Sequence, residues 1–236
     1  MFTEKELPNT SPEASRTTIT RFVIAVVFGI AFAYIESAVV VYLRVIFHPD
    51  GFTFPLNNVN TILQHKALLL TEIGREAATI VLIFTGAWLF GRNHRQRFAY
   101  FLTIFAVWDI FYYVWLKVFS AYFKAIPKWP QSIMDWDILF LIPVAWAGPV
   151  LAPVLVSIIL LAFAMIILYR DSRGRPIRAG CIDWLGFITA GAIVVVSFCI
   201  PGPHIAEPDF QSHFYWSIFT LGNIIAVALF VKCLLK

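Results

Sequence analysis

The chain has 236 residues, of which 60% are apolar, 17% aromatic and only 14% charged, and its mean hydropathy is +0.79, whereas a soluble domain carries about 25% charged residues. Water is therefore not its main solvent. The formal net charge of +4 reads as basic residues flanking membrane spans, with no nucleic acid as partner, and three scattered cysteines exclude a disulfide framework or a zinc cluster.

The fold class expected is all-α: a polytopic integral membrane helical bundle of about six transmembrane helices, each crossing needing roughly 20 apolar residues. Residues 1–20, rich in Ser, Thr, Pro and Glu, read as a flexible cytoplasmic tail, and 21–236 as one transmembrane bundle domain. The stretch from Arg21 to Ala33 imitates a cleavable signal, with a basic start and the small-residue pattern Ala31-Phe32-Ala33. Its apolar run continues through Val39-Val40-Val41 to Phe47, so an uncleaved first span is expected.

Spans are expected at about 22–46, 67–90, 98–120, 138–169, 182–200 and 214–234. The fourth is anomalous, because a helix of that length would measure about 48 Å against a hydrocarbon core of roughly 30 Å. It also contains Pro143, Gly148, Pro149 and Pro153. The pattern predicts a Pro-interrupted fourth span, broken near Ala147 to Pro153, with an outer half-helix or interfacial piece from 138 and the true span from about 149 to 169; a single kinked helix is the alternative.

Lys5, Arg16, Arg21, Arg92, Arg95, Arg97, Arg170, Arg173, Arg175, Arg178, Lys232 and Lys236 make 12 of the 18 basic residues, and all fall on one side if the spans alternate. The positive-inside rule then puts both termini in the cytoplasm, in the multi-pass pattern of a bacterial or archaeal inner-membrane protein.

Charge inside a span costs about 2.5–3.5 kcal/mol per group and marks a partner or a wet cavity. Glu36 lies in the first span, Glu72, Arg75 and Glu76 in the second, and Asp109 in the third, while Asp135 and Asp137 open the fourth. At 100° per residue, His65, Glu72, Glu76 and Thr79 share one face within about 60°. Asp109 shares another with Phe105, Tyr112, Tyr113 and Leu116, so two phenols stand within a turn of the acid. The alternating topology collects these charges in the outer half of the membrane.

Ion pairs of Arg75 with Glu36 or Glu72, and of Lys117 with Asp135 or Asp137, would fix the bundle. The six acids nevertheless outnumber Arg44, Arg75 and Lys117, leaving three carboxylates to be protonated, bind a cation or face water. Candidate catalytic residues are Glu36, Glu72, Glu76 and Asp109; candidate substrate-binding residues are Arg75, Tyr112, Tyr113, Lys117, Asp135 and Asp137. A divalent metal as cofactor would use His65 with Glu36, Glu72 and Glu76, although the Glu-x-x-His pair of carboxylate-bridged bundles is absent. His204 and His213, with Glu207 and Asp209 in the last outer loop, could close a second metal site. Asp135-Trp136-Asp137 has the Asp-x-Asp form of metal-dependent sugar transferases, but the chain is too short for their folds.

Three functions are compatible with this constellation. The first is binding or transport of a small cation or amphipathic solute in an outer acidic and aromatic site. The second is intramembrane enzymology, Glu/Asp acid-base or metal chemistry on a lipid or isoprenoid-like substrate. The arrangement of Glu in one span, Asp with aromatics in the next (Asp109 with Tyr112 and Tyr113) and a Trp/Pro-rich following span resembles part of the sterol-isomerase-like four-span membrane domains, a resemblance that implies this second function. The third is a structural subunit of a larger membrane complex. The expected partners are membrane lipids, a small-molecule or lipid-like ligand, and a membrane-complex subunit.

Overall fold

The computed structural model describes residues 12–48, 52–56, 65–122, 132–141 and 144–236. Six long helices dominate: α1 (Pro12–Phe47), α2 (Lys66–Phe90), α3 (His94–Tyr122), α4 (Leu151–Ser172), α5 (Cys181–Cys199) and α6 (Trp216–Leu235). Five of them are long and apolar enough to cross a membrane, as in a multi-pass integral membrane protein. The exception is α2, which carries Glu72, Arg75 and Glu76.

Helix α1 begins at Pro12, so residues 12–20 of the expected tail are helical instead. Proline at the first helical position loses no hydrogen bond, because that N–H has no intrahelical partner. Residues 1–11 of the tail, Lys124 and Lys128, and Pro143 lie outside the described residues.

The fourth apolar stretch departs most from expectation. In place of a half-helix or a long kinked helix, an antiparallel hairpin of β1 (Trp136–Phe140) and β2 (Trp146–Pro149) precedes α4. Asp137 pairs with Gly148 and Ile138 with Ala147, and a register shift follows Ile138. An open hairpin among transmembrane helices must satisfy its backbone polar groups internally. Here Val150 N–H donates to the Asp135 carbonyl (2.9 Å) and Leu151 N–H to that of Ile133 (2.8 Å), while Leu141 N–H donates to the Glu76 carboxylate (3.0 Å). Strand alternation turns Trp136 toward Phe210 and Phe214 and sends Asp137 the other way, to Arg44 and Tyr112.

Helix α3 is the hub, packed against α1, α2 and α4. A Cβ on Gly29 would lie 3.0 Å from Val107, so the α1–α3 approach depends on glycine there. Helices α5 and α6 pack chiefly on each other. Gly222 lets α6 approach within 2.9 Å of the Ala190 carbonyl, measured from the position of an added Cβ, and Lys232 and Lys236 both bond Asp183. This pair meets the rest mainly through β2 and a few contacts with α4, which leaves a cleft between the two groups of helices.

The connections segregate by chemistry. At one end Phe52, Leu56, Trp136, Ile205, Phe210 and Phe214 form a buried aromatic cap, joined by the Leu56 N–H bond to the Ile205 carbonyl (2.9 Å). At the other, Asn93 and Gln96 bond Asp171 among Arg92, Arg95, Arg170 and Arg173. The cysteines are all free.

Candidate functional site

Near the cap, α1, α2, α3 and β1 line a partly open cavity of about 170 Å³. Two guanidiniums organise its walls. Arg75 bridges Glu36 on α1 and Glu72 on its own helix, its Nε donating to Glu72 at 2.8 Å. Thr79, one turn on from Arg75, donates to the other Glu36 oxygen at 3.3 Å. These charge-assisted bonds tie α1 to α2.

Arg44 lies two turns beyond Glu36 and donates to Asp137 at 2.6 Å. Asp137 is wholly inaccessible to solvent and accepts a second bond from the Tyr112 hydroxyl at 3.2 Å. The Arg44 guanidinium stands 4.3 Å from the centre of the Phe52 ring, a cation–π contact that offsets part of its desolvation. His48 meets Phe52 edge-on, and burial followed by the Arg44 charge lowers its pKa.

Two further carboxylates line the cavity without an ion pair among the described residues. Glu76 accepts the Leu141 N–H, and Asp109 accepts the Ser157 hydroxyl of α4 at 2.8 Å. The cavity thus has five carboxylates, Glu36, Glu72, Glu76, Asp109 and Asp137, against Arg44 and Arg75. Its formal charge is negative, to be neutralised by protons or by a cation.

Beyond Asp109 lies a second, larger space. A cleft of about 820 Å³, within the 300–1,000 Å³ range of small-molecule sites, runs between α3 and α4 on one side and α5 and α6 on the other. Its walls are apolar: Leu102, Phe105, Leu160, Phe163, Phe187, Val194 and Phe230 among others, with His94, Arg95 and Arg178 at the basic end. Trp108, Asp109, Leu139 and Phe140 line both spaces, so the acidic chamber abuts the apolar cleft. Two indole N–H groups at these walls, of Trp108 and Trp146, are buried without a hydrogen-bond partner among the described residues.

The structure therefore brings together Glu36, Glu72, Arg75, Glu76, Asp109, Tyr112, Tyr113 and Asp137 from the sequence-derived set, with Arg44. Asp135 is not in the chamber; its carboxylate accepts the Ser132 N–H (2.9 Å) and so fixes the turn before β1. Lys117, exposed on α3, is not among the lining residues, and the partner that Asp137 takes is Arg44. Tyr112 turns its hydroxyl to Asp137, and Asp109 bonds Ser157 instead of the phenols expected within a turn of it. Ser157 was not anticipated, although a hydroxyl in the middle of the apolar run of α4 is a recognisable signal.

His65 stands at the lip of α2 with its ring 5.6 Å from that of Phe47, and it does not gather with Glu36, Glu72 and Glu76 as a ligand set. Among the described residues, three ligand-type side chains converge at His204, Glu207 and His213 in the α5–α6 loop. No known protein family, no curated protein and no solved structure matches the chain.

Proposed function

We propose that the chain binds an amphipathic solute from the membrane, with a cationic head in the acidic chamber and the apolar body in the adjoining cleft, for transport or for presentation to a partner membrane protein. The observation that carries this reading is the shared wall of Trp108, Asp109, Leu139 and Phe140, where a negatively charged polar space meets a large apolar one. The surplus of carboxylates over guanidiniums favours a cation over an anion as the head group. The orientation that goes with it has both termini cytoplasmic, in the inner membrane of a bacterium or archaeon, and the chamber in the outer half. The supporting pattern is the arginine-rich α2–α3 and α4–α5 connections lying opposite the aromatic cap.

The test uses two probes with the same chain and opposite heads, dodecyltrimethylammonium and dodecyl sulfate, titrated into the protein in nanodiscs. Bilayer partitioning of the tail is then common to both. The cationic probe is expected to bind at least about tenfold more tightly, a difference of 1.4 kcal/mol. Glu76→Gln with Asp109→Asn should abolish the preference. Equal affinity for both heads, or a preference untouched by the double substitution, refutes the reading.

An intramembrane enzyme is the second reading, favoured by one observation: Asp109 and Glu76 line the chamber without a cationic partner, and Asp109 is also at the cleft wall with a hydroxyl beside it. Both are positioned for general acid or base chemistry on a lipid or isoprenoid-like substrate. Incubation with a membrane-lipid extract followed by mass spectrometry separates the readings, because an enzyme converts a lipid and Asp109→Asn stops the conversion.

A further inference from the structure

We infer that the α5–α6 loop holds a divalent transition-metal ion of the zinc class, ligated by His204, Glu207 and His213. One ligand atom from each residue lies within 4.8 Å of the other two. Through its two oxygens the Glu207 carboxylate reaches both rings: His204 Nδ1 to Glu207 Oε1 is 3.0 Å and His213 Nε2 to Glu207 Oε2 is 3.5 Å. Zinc–nitrogen and zinc–oxygen bonds of about 2.0–2.2 Å put neighbouring tetrahedral ligands roughly 3.3 Å apart.

A second observation points to a ligand at the same place. The Nε2 of His213 is buried and makes no hydrogen bond among the described residues, with Glu207 Oε2 standing 3.5 Å away, so the nitrogen lacks the close partner that buried polar atoms normally have. The Glu207 carboxylate straddles the two imidazoles, one oxygen toward each. An ion at this position would satisfy the orphaned nitrogen and neutralise the carboxylate.

The loop backbone suits the task because it is fixed independently of the three side chains. His204 closes one 3₁₀ turn (Gly202–His204) and His213 closes another (Phe210–His213). Ile205, Phe210 and Phe214 between and beside them are buried in the cap. Only the rings must adjust. They are stacked with centroids 3.7 Å apart and planes 5° from parallel, and two parallel planes cannot both contain one ion. Capture therefore turns one imidazole about its Cβ–Cγ bond, a broad and shallow torsion.

Two imidazoles and one carboxylate favour zinc, nickel or copper over magnesium or calcium, which take oxygen ligands. Three protein ligands leave a fourth position open to water, and the half-exposed Glu207 side chain gives the ion a path from the aqueous side. The ion would clasp the two 3₁₀ turns and, through the Leu56–Ile205 bond, stiffen the cap above the chamber.

The probe is zinc chloride, titrated calorimetrically into the full-length chain, free of affinity-tag histidines and stripped with chelator. One ion per chain is expected, at a dissociation constant in the micromolar range or below. His204→Ala and His213→Ala should each weaken binding at least about tenfold. Cobalt(II) gives a second readout that excludes the cysteines: a visible d–d spectrum without a thiolate charge-transfer band, lost in either histidine variant. Thermal melting of the ion-free variants should match the parent, and zinc should raise the melting temperature of the parent alone. Failure to take up zinc, or uptake unchanged in both histidine variants, overturns the assignment.

Discussion

Replacing Asp137 with Asn tests whether the Arg44–Asp137 pair holds the chamber wall together. Asp137 has no accessible surface and the Arg44 side chain is 11% exposed, so both charges are withdrawn from water. Truncating one partner of such a pair costs about 3–5 kcal/mol, chiefly because the other charge stays buried and uncompensated. Asparagine keeps the volume and one neutral acceptor for Arg44, and Phe52 keeps its cation–π contact, so the expected loss is at the low end, about 3 kcal/mol. At about 2–4 °C per kcal/mol for a chain of this size, the melting temperature in mild detergent falls by roughly 6–12 °C. Arg44→Met on the Asp137→Asn background removes the buried cation as well and should recover part of the loss, with a coupling energy of about 1.5–3 kcal/mol in equilibrium unfolding from mixed micelles. An Asp137→Asn protein as stable as the parent, or a double variant whose loss is the sum of the single ones, refutes the argument.

Trp108→Phe removes an indole N–H that is buried without a partner; ligand-free stability should hold or rise by about 1 kcal/mol in the same unfolding assay, and a loss above about 2 kcal/mol contradicts the assignment of that N–H as unsatisfied. Gly191 lines the cleft and an added Cβ would meet nothing within 4 Å, so Gly191→Phe should fold as the parent does yet weaken dodecyltrimethylammonium binding about tenfold; undiminished affinity would place the tail elsewhere. Cys181 is exposed while Cys233 is buried. In a Cys199→Ser background, a membrane-impermeant maleimide should label Cys181 in inside-out vesicles and not in intact spheroplasts, and labelling of Cys181 in spheroplasts reverses the proposed orientation.

The helices were legible because a membrane-spanning helix is written as a continuous apolar run, and five of the six satisfy that rule by composition alone. The hairpin was not, because Ile138 to Pro149 is as apolar as half of a span. The length excess and the prolines flagged an irregularity there without giving its form. The alternation of Trp136, Ile138 and Phe140 against Asp137 and Leu139 was the available strand signal, and it also separates the two aspartates: Asp137 belongs to the strand and points to Arg44, whereas Asp135 precedes it and holds a turn.

In the chamber, helical periodicity predicted azimuth and left depth and convergence open. His65 shares a face with Glu72 and Glu76, yet seven residues of helix separate it from Glu72 by about 10 Å, which leaves it at the lip against Phe47. Lys117 is removed from Asp109 by a similar distance along α3. Depth did bring Glu36 as well as Glu72 within reach of Arg75, since both groups lie in the half nearer the α1–α2 connection, and Arg75 takes both. Sequence neighbours within a turn could not say where a phenol points, because the hydroxyl of Tyr112 is set by a third element, the strand that delivers Asp137. The same holds for Asp109, whose partner Ser157 comes from a helix 48 residues away in the chain. The charge imbalance, by contrast, needed no geometry: carboxylates in excess of guanidiniums within apolar spans remain in excess however the helices pack. Moving Asp135 and Lys117 out of the set removes one charge of each sign and leaves the surplus where it was.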